Sequence, residues 1–337
     1  MAFINPDIEA RHYRKEGESY VCELCPHYCR IAVDGFGRCG SRKGEADKLV
    51  AYNYGKVSSI ALDPVEKKPF YHYHPKEKVF SVGSIGCNLS CRFCQNYSIS
   101  MSPAGKKRTT FEYPDEVTAL CRQERTHLLA FTYNEPVIWF EYMIDVMLSD
   151  PGIEYSIVTN GFINEGPMRE LCRYFKAMNI DIKGFTDQFY REICGGSLEP
   201  VLKAVKVASE EGVHIELTYM VIPGRNDDDG EIAMFSEWVR DNVSPDTPVH
   251  FTRFHPDYMM MDVGLTPVDS LLKCREIAIN NGLNYVYVGN ILTEDSADTY
   301  CPECGNLVIR RTGYQVDIVS LDGNRCTHCR HRQNIIR

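Results

Sequence analysis

The sequence has no long hydrophobic run. None of its apolar stretches approaches the roughly 18 to 20 residues that a bilayer-spanning helix needs. The N-terminus is charged and lacks the apolar stretch and the small-residue cleavage site of a secretory signal. These absences predict a cytoplasmic protein that does not span a membrane.

Positive charge is also scarce. The chain has 37 Lys and Arg residues against 46 Asp and Glu residues, which gives a formal net charge of −9. Duplex nucleic acids are bound mainly through clustered Lys and Arg. The charge balance therefore argues against a nucleic-acid partner, and the ordinary share of apolar residues predicts a globular fold.

Cysteine, by contrast, is abundant, with 15 residues. In a reducing compartment, closely spaced thiols are more often metal ligands than disulfides. Most of these cysteines fall into three tight groups. The remainder are scattered singly and are predicted to be inert: Cys121, Cys172, Cys194 and Cys274.

The central group follows a C-x3-C-x2-C pattern formed by Cys87, Cys91 and Cys94, directly after the strand-like run 79–86. Three thiolates can hold three irons of a [4Fe–4S] cluster, and no fourth cysteine lies nearby in the sequence. The pattern therefore predicts a cluster with one iron open to a ligand. A structural zinc site of unusual spacing is the alternative.

The N-terminal group supplies four thiolates within a short glycine-containing segment: Cys22, Cys25, Cys29 and Cys39. Four thiolates close a coordination site, either a tetrahedral zinc site or a fully coordinated iron–sulfur cluster. The spacing favours structural zinc only slightly over an auxiliary iron–sulfur cluster.

The C-terminal group has a C-x2-C-x21-C-x2-C pattern with β-like residues in between. Its cysteines are Cys301, Cys304, Cys326 and Cys329. Paired CxxC knuckles at this separation are typical of a zinc ribbon or a rubredoxin-like site, and structural zinc is the favoured interpretation. His27 and His328 lie within the terminal groups but are predicted not to be ligands.

Between the clusters, short β-rich runs alternate with longer helical patterns, which is typical of a parallel sheet with crossover helices. The candidate strands are 78–86, 126–133, 153–159, 177–183, 214–222, 248–254 and 284–288. The candidate helices are 114–122, 165–175, 198–211, 231–242 and 267–281. About six β/α units follow the cysteine triad. We therefore predict an α/β fold, a partial (β/α)6 TIM-like barrel, with small four-cysteine appendages at both ends.

This organisation predicts three parts of the chain. Residues 1–75 form an N-terminal four-cysteine metal-binding segment, residues 76–295 the partial barrel, and residues 296–337 a zinc-ribbon-like domain. Active sites of such barrels lie at the carboxyl ends of the strands. There the sequence places the cysteine triad and the polar segments 132–136, 159–161, 181–183, 223–226 and 253–255. Each segment alone is ordinary, but their recurrence on one rim predicts a shared site.

These motifs resemble the radical S-adenosylmethionine (SAM) superfamily, and within it the branch that contains the activating enzyme of pyruvate formate-lyase. A closer resemblance is to the subgroup called the AmmeMemoRadiSam system radical SAM enzyme. The similar motifs lie at 22–29, 62–69, 86–96, 132–136, 181–183 and the terminal CxxC pairs, so the resemblance covers nearly the whole chain.

The resemblance implies roles for individual residues. Cys87, Cys91 and Cys94 would be the ligands of the SAM-binding [4Fe–4S] cluster. Asn134 and Glu135 stand where the superfamily usually has Gly-Gly-Glu. Glu135 would therefore accept a hydrogen bond from the methionyl amino group of SAM. Because the Gly-Gly pair is replaced, the contact between the backbone and SAM would differ. The other implied SAM contacts are Phe93 near the adenine, Thr159 and Asn160 at the ribose, the pair Asp181 and Lys183, and His255.

The function implied by this resemblance is reductive cleavage of SAM to a 5′-deoxyadenosyl radical, which removes hydrogen from a substrate. By analogy with activating enzymes, the substrate could be a glycyl-radical protein. The resemblance also implies a reductant such as flavodoxin or ferredoxin. Two alternatives stay open: cleavage of another C–S bond of SAM with transfer of a fragment to a small molecule, and a zinc-ribbon nucleic-acid-binding protein.

Overall fold

An eight-stranded sheet forms the centre of the fold. The computed structural model describes residues 7–102, 109–291 and 296–337. The strands lie side by side in chain order. They are β1 (Ser59–Pro64), β2 (Lys78–Gly83), β3 (Leu128–Phe131), β4 (Glu154–Thr159), β5 (Phe175–Asp181), β6 (His214–Val221), β7 (Val249–Arg253) and β8 (Val286–Gly289). Strands β2 to β8 are parallel, and β1 pairs antiparallel with β2.

The connections between the parallel strands carry helices. Within the described ranges these are α1 (Tyr97–Ser100), α2 (Pro114–Gln123), α3 (Phe140–Ser149), α4 (Glu165–Cys172), α5 (Asp187–Phe189), α6 (Leu198–Glu210), α7 (Asp229–Asn242) and α8 (Val268–Asn280). The connections also contain 3-10 helices at Val65–Lys67 and Pro136–Trp139 and a π-helical turn at Tyr190–Cys194. None of these helices has the length and hydropathy of a membrane span.

The predicted partial barrel is confirmed. Strands β2 to β8 correspond to the seven predicted strands, and α2, α4, α6, α7 and α8 correspond to the five predicted helices. Helix α3 was not predicted, because most of its residues are apolar and buried, which weakens the helical period. The edge strand β1 was also missed, because its residues are mostly half-buried and do not alternate.

The N-terminal part packs against the barrel through small antiparallel sheets. Their strands are Tyr13–Glu16, Ser19–Cys22 and Arg30–Ala32, the hairpin Arg42–Gly44 and Leu49–Ala51, and the pair Lys56–Val57 with Thr110–Phe111. Arg42 forms a buried two-pronged ion pair with Glu141 of α3, at 2.8 and 3.0 Å. Strand β1 lies before residue 76, so the sheet takes its edge from the predicted N-terminal segment. The domain boundaries stay a prediction.

The C-terminal part is a small β-structure with its own hydrophobic cluster. It contains a three-stranded sheet, Thr299–Tyr300, Leu307–Thr312 and Gln315–Ile318, and the hairpin Leu321–Asp322 with Arg325–Cys326. Arg311 of this part donates 2.6 Å to the carbonyl oxygen of Tyr71. This contact fixes the C-terminal part to the segment that precedes β2.

The amino-terminal half of the barrel interior is filled by side chains and by the segment before β2. The carboxylate of Glu216 in β6 accepts hydrogen bonds from the backbone N–H groups of Tyr71 and His72 at 2.9 and 2.8 Å. His250 lies 2.7 Å from the same carboxylate. This buried charge is therefore fully surrounded by donors, and the space for a ligand lies toward the carboxyl ends of the strands.

Candidate active site

The cysteine triad lies on the loop that leaves the carboxyl end of β2. Gly86 precedes the first cysteine and has a φ of +91°, and a Cβ added there would lie 2.5 Å from the carbonyl oxygen of Cys39. Only glycine fits such a backbone angle and such a close approach. The triad loop is therefore packed directly against the N-terminal cysteine loop.

The sulfurs of the triad lie together in a buried pocket. Burial raises the pKa of the Cys87 thiol, and the nearby charges of Glu135, Cys91 and Cys94 raise it further. Two donors point at the Cys87 sulfur: the backbone N–H of Leu89 at 3.4 Å and Nδ2 of Asn160 at 3.7 Å. Such donors stabilise a thiolate.

Glu135 lies at the carboxyl end of β3 and is almost fully buried. Its carboxylate accepts hydrogen bonds from Thr159 Oγ1 at 2.6 Å, Asn160 N at 2.7 Å and Val137 N at 3.1 Å. Burial raises the pKa of Glu135 to about 7, although these hydrogen bonds act in the opposite direction. The carboxylate is thus fixed in place and titrates near neutral pH.

Asn134 and Asn160 brace the triad loop. Asn134 Oδ1 accepts from Ser84 N, and its Nδ2 donates to the carbonyl oxygen of Gly86, each at 3.0 Å. Asn160 Nδ2 donates to Asn88 Oδ1 at 2.9 Å. Asn134 therefore holds the backbone that leads to the first cysteine, and Asn160 holds the side chain of the residue after it.

Lys183 and Asp181 form an ion pair at the carboxyl end of β5. Burial opposes the charge of Lys183, but Asp181 and the Cys91 sulfur outweigh this effect, so the pKa of Lys183 lies above its ordinary value. The ammonium group therefore stays charged beside the triad. Lys183 also acts on Cys94, where it lowers the pKa of a thiol that burial raises.

The two remaining predicted residues lie in different surroundings. Phe93 is buried, with its ring centroid 6.1 Å from that of Phe189. His255 is exposed on the loop after β7, where Nδ1 lies 3.4 Å from the carbonyl oxygen of Pro256. The structure thus brings the triad, Glu135, Asn160, Asp181 and Lys183 together, and it places His255 at the surface.

Comparisons with known proteins agree with this arrangement. A family model described as the radical SAM superfamily matches residues 82–235. A protein of Methanocaldococcus jannaschii, described as uncharacterized, is 38% identical over 333 residues, or 97% of this chain and 99% of that protein. The pyruvate formate-lyase 1-activating enzyme of Escherichia coli K12 is 25% identical over 162 residues, or 46% of this chain and 66% of that enzyme. The chain belongs to the radical SAM superfamily.

The fold is also similar to that of a solved superfamily member. A radical SAM methyltransferase from Sphaerobacter thermophilus has a TM-score of 0.51 at 17% identity, covering 69% of this chain and 71% of that one. At this identity the similarity concerns the fold alone.

Radical SAM enzymes use a [4Fe–4S] cluster and SAM, and the pocket fits both. It offers three buried or half-buried thiols, a carboxylate and a cation. Two polar atoms, Gln95 Nε2 directly after Cys94 and Asp181 Oδ1 beside Lys183, are buried and have no hydrogen-bond partner among the described residues. Buried polar groups are rarely left unpaired, so these atoms indicate space for a polar ligand.

A fourth cysteine lies at this radical SAM site, and it is one of the four scattered cysteines that the sequence predicts to be inert. The fully buried Cys194 thiol lies close enough to Cys91 to lower the pKa of that thiol. The turn Tyr190–Cys194 is joined to the triad loop by Ser90 N donating to Cys194 O at 2.7 Å and Arg92 N donating to Ile193 O at 3.0 Å. No spacing pattern links Cys194 to the triad, so the sequence carried no signal for this contact.

The C-terminal cysteines form a compact set of thiols. The sulfurs of Cys301 and Cys329 are 3.6 Å apart, and those of Cys304 and Cys326 are 3.8 Å apart. Tetrahedral zinc with Zn–S bonds of about 2.3 Å places its sulfurs about 3.8 Å from one another. The four thiols can therefore hold a metal ion in the arrangement that the sequence predicts.

The N-terminal cysteines also converge, around a buried cation. Burial raises the pKa of the Cys25 thiol to about 12, and the charges of Cys39, Cys22 and Cys29 act in the same direction. Burial raises the pKa of the Cys22 thiol, and the nearby charge of Arg42 acts in the opposite direction. A metal-bound set of thiolates carries negative charge, so an adjacent guanidinium suits such a site.

Proposed function

We propose that Cys87, Cys91 and Cys94 hold a [4Fe–4S] cluster, that SAM binds at its open iron, and that the enzyme removes a hydrogen atom from a substrate. The observation that carries this proposal is the convergence of the triad with Glu135 and Lys183 at the carboxyl ends of the parallel strands. This rim is where barrels of parallel strands build their active sites.

Glu135 is the residue best suited to receive the methionyl amino group. A carboxylate has about four acceptor positions. Hydrogen bonds from Thr159, Asn160 and Val137 use three of those on Glu135. The remaining position accepts one donor from a ligand, and the ligand's ammonium would favour the ionised carboxylate.

Lys183 and Asp181 supply a second polar contact, because Asp181 Oδ1 is buried and has no partner in the part of the chain that the structure describes. We propose that this oxygen accepts a hydrogen bond from SAM and that Lys183 attracts the carboxylate of SAM. We further propose that Phe93 packs on the adenine and that Thr159, Asn160 and His255 contribute to the nucleoside end. Asn134 would act indirectly, by holding the backbone of the triad loop in place.

The cluster, when bound, would deliver an electron that cleaves SAM to methionine and a 5′-deoxyadenosyl radical. The protein side chains position the partners and exclude water from the pocket. We propose flavodoxin or ferredoxin as the electron donor. We propose zinc at the C-terminal cysteines, and zinc or an auxiliary cluster at the N-terminal cysteines.

We propose that the substrate is a protein that receives a glycyl radical. The similarity to the pyruvate formate-lyase 1-activating enzyme supports this proposal, although it extends over 46% of the chain.

The test is anaerobic reconstitution followed by counting of iron, sulfide and zinc. The dithionite-reduced protein is then incubated with SAM, and 5′-deoxyadenosine is measured. The proposal expects nucleoside release that is lost in Cys91→Ala and kept in Cys172→Ala, a matched change at a buried cysteine of α4. Methylthioadenosine in place of 5′-deoxyadenosine would favour cleavage of another C–S bond, and zinc at every site without SAM cleavage would refute the proposal.

A further inference from the structure

We propose that His74, His127 and Glu154 form a divalent transition-metal site, with zinc as the favoured ion, at the amino end of the barrel. This site is separate from the cysteine sites and does not depend on the proposed function. Two imidazoles and a carboxylate are a donor set that suits zinc, with a remaining position for water.

The three side chains come together because of the strand order. Glu154 is the first residue of β4, His127 directly precedes β3, and His74 lies on the turn before β2. These strands are parallel neighbours, so their amino ends meet at one edge of the sheet. The backbone N–H of Glu154 donates 2.8 Å to the carbonyl oxygen of His127, which holds two of the ligands side by side.

The distances fit a metal after only small movements. The ligand atoms of the three residues all lie within 4.8 Å of one another, and His74 Nε2 is 3.1 Å from Glu154 Oε2. Zinc with bonds of about 2.0 to 2.2 Å places tetrahedral N and O ligands about 3.3 to 3.6 Å apart. His127 is exposed, so its ring can turn toward the other two without disturbing the core.

The surroundings hold the other two ligands in position. His74 is buried, adopts a φ of +47°, and donates its backbone N–H to the carbonyl oxygen of Ile336 at 2.8 Å. Tyr73 donates its hydroxyl to Glu154 Oε2 at 3.1 Å. Hydrogen bonds to the ligands are the usual means by which a protein orients metal-binding side chains.

A metal at this site would join the segment before β2 to strands β3 and β4. Because the backbone of His74 also contacts Ile336, the same ion would strengthen the attachment of the C-terminal part. An ion that binds only the folded chain raises the thermal midpoint of unfolding. The site is therefore inferred to be structural, on the face of the barrel opposite the cysteine triad.

The test is zinc equilibrium dialysis of the full chain after its cysteine sites have been loaded. The variants are His127→Gln, which changes an exposed side chain, and Glu154→Gln. The control is Glu124→Gln, at an exposed carboxyl in the connection between α2 and β3. The proposal expects wild type and Glu124→Gln to bind one zinc more than the two site variants. It also expects added zinc to raise the thermal midpoint of unfolding in wild type and Glu124→Gln but not in the two site variants.

Equal zinc counts in wild type and His127→Gln would overturn the proposal and leave the cluster as a hydrogen-bonded ion pair. A second measurement needs no variant. Cobalt(II) is titrated into wild-type protein whose cysteine sites are full, and one equivalent should bind with visible absorption but without a sulfur-to-cobalt charge-transfer band. No bound cobalt, or a sulfur charge-transfer band, would contradict the site.

Discussion

Thr159 donates a 2.6 Å hydrogen bond to the carboxylate of Glu135 and so joins the carboxyl ends of β3 and β4. Both side chains are buried. Burial favours the neutral carboxylic acid, whereas the hydroxyl and two backbone N–H groups favour the carboxylate. The balance between these effects raises the pKa of Glu135 to about 7. The protonation state of this pocket is therefore sensitive to small changes around neutral pH.

The affinity for SAM should increase as the pH rises through about 7, since Glu135 must be ionised to attract the methionyl ammonium. Equilibrium dialysis of SAM against reconstituted protein between pH 6 and pH 8, about one unit on either side, would measure this dependence. Glu135→Gln should bind SAM weakly and with no transition in this range. A wild-type affinity that stays constant over the range would contradict the role of Glu135.

Glu135 should affect the stability of the SAM-free protein in the opposite direction, since this contribution decreases as the pH rises. The folded-state pKa of about 7 lies above the ordinary value of 4.5, so the folded chain binds the proton more tightly than the unfolded chain. This contribution is present below about pH 4.5 and is lost as the pH rises to about 7. Without SAM, wild type should therefore lose stability relative to Glu135→Gln over this interval, as measured by urea unfolding.

Thr159→Val should shift the pH dependence of SAM binding upward. The change keeps the shape of the side chain but removes the donor to Glu135, so the carboxylate loses a hydrogen bond. Such a bond to a charged group contributes roughly 1.5 to 3 kcal/mol, and about 1.36 kcal/mol corresponds to one pKa unit. The midpoint should move by roughly one unit or more. Thr159→Ser, which keeps the hydroxyl, should restore the wild-type midpoint, and an unchanged midpoint in Thr159→Val would show that the bond is not coupled to ionisation.

Cys194→Ala should keep the iron content but lower the reduction potential of the cluster. The Cys194 thiol lies close to the Cys91 sulfur and lowers the pKa of Cys91, so we expect it to donate a hydrogen bond to a cluster-bound Cys91. Hydrogen bonds to ligand sulfurs stabilise the more negative, reduced state and so raise the potential. Redox titration followed by electron paramagnetic resonance would measure the shift, with Cys172→Ala as the matched control. Loss of iron equal to that in Cys91→Ala would instead identify Cys194 as a ligand.

The sequence was sufficient for the features that depend on local patterns. Buried parallel strands read as apolar runs between turn residues, and the amphipathic helices showed their period, so β2 to β8 and most helices were predicted. Cysteine spacing similarly identified the triad and the C-terminal set. Helix α3 was missed because most of its residues are apolar and buried, which weakens the periodic signal.

The rim of strand ends was predicted as a shared site, but contacts that do not follow from the strand ends could not be predicted. Cys194 lies beside the triad because the π-helical turn after β5 packs against the triad loop. Ser90, which donates to the carbonyl oxygen of Cys194, is 104 residues away in the sequence. His74 and His127 lie on two separate connections and Glu154 begins β4, and each residue is unremarkable by itself. Such groups of residues come together because of the order of the strands in the sheet. The sequence indicates the class of fold but not these individual contacts.

Glu141→Gln should strongly destabilise the N-terminal part. Glu141 and Arg42 are 99 residues apart in the chain, and their side chains are 5% and 1% exposed. Removing one charge leaves the other buried and unpaired, which costs roughly 3 to 5 kcal/mol. Asp150→Asn is the matched control, because Asp150 pairs with the half-exposed Arg122, and an exposed pair contributes at most about 1 kcal/mol.

Urea unfolding of both variants would give the two free energies of unfolding. Because Arg42 also lies beside Cys22, Glu141→Gln leaves its positive charge next to the N-terminal thiols. A metal bound there as a set of thiolates should offset part of the loss, since it supplies the missing negative charge. The difference between Glu141→Gln and wild type should therefore be larger in the metal-free protein than in the loaded protein. Equal differences would mean that Arg42 serves the packing of α3 and has no influence on the metal site.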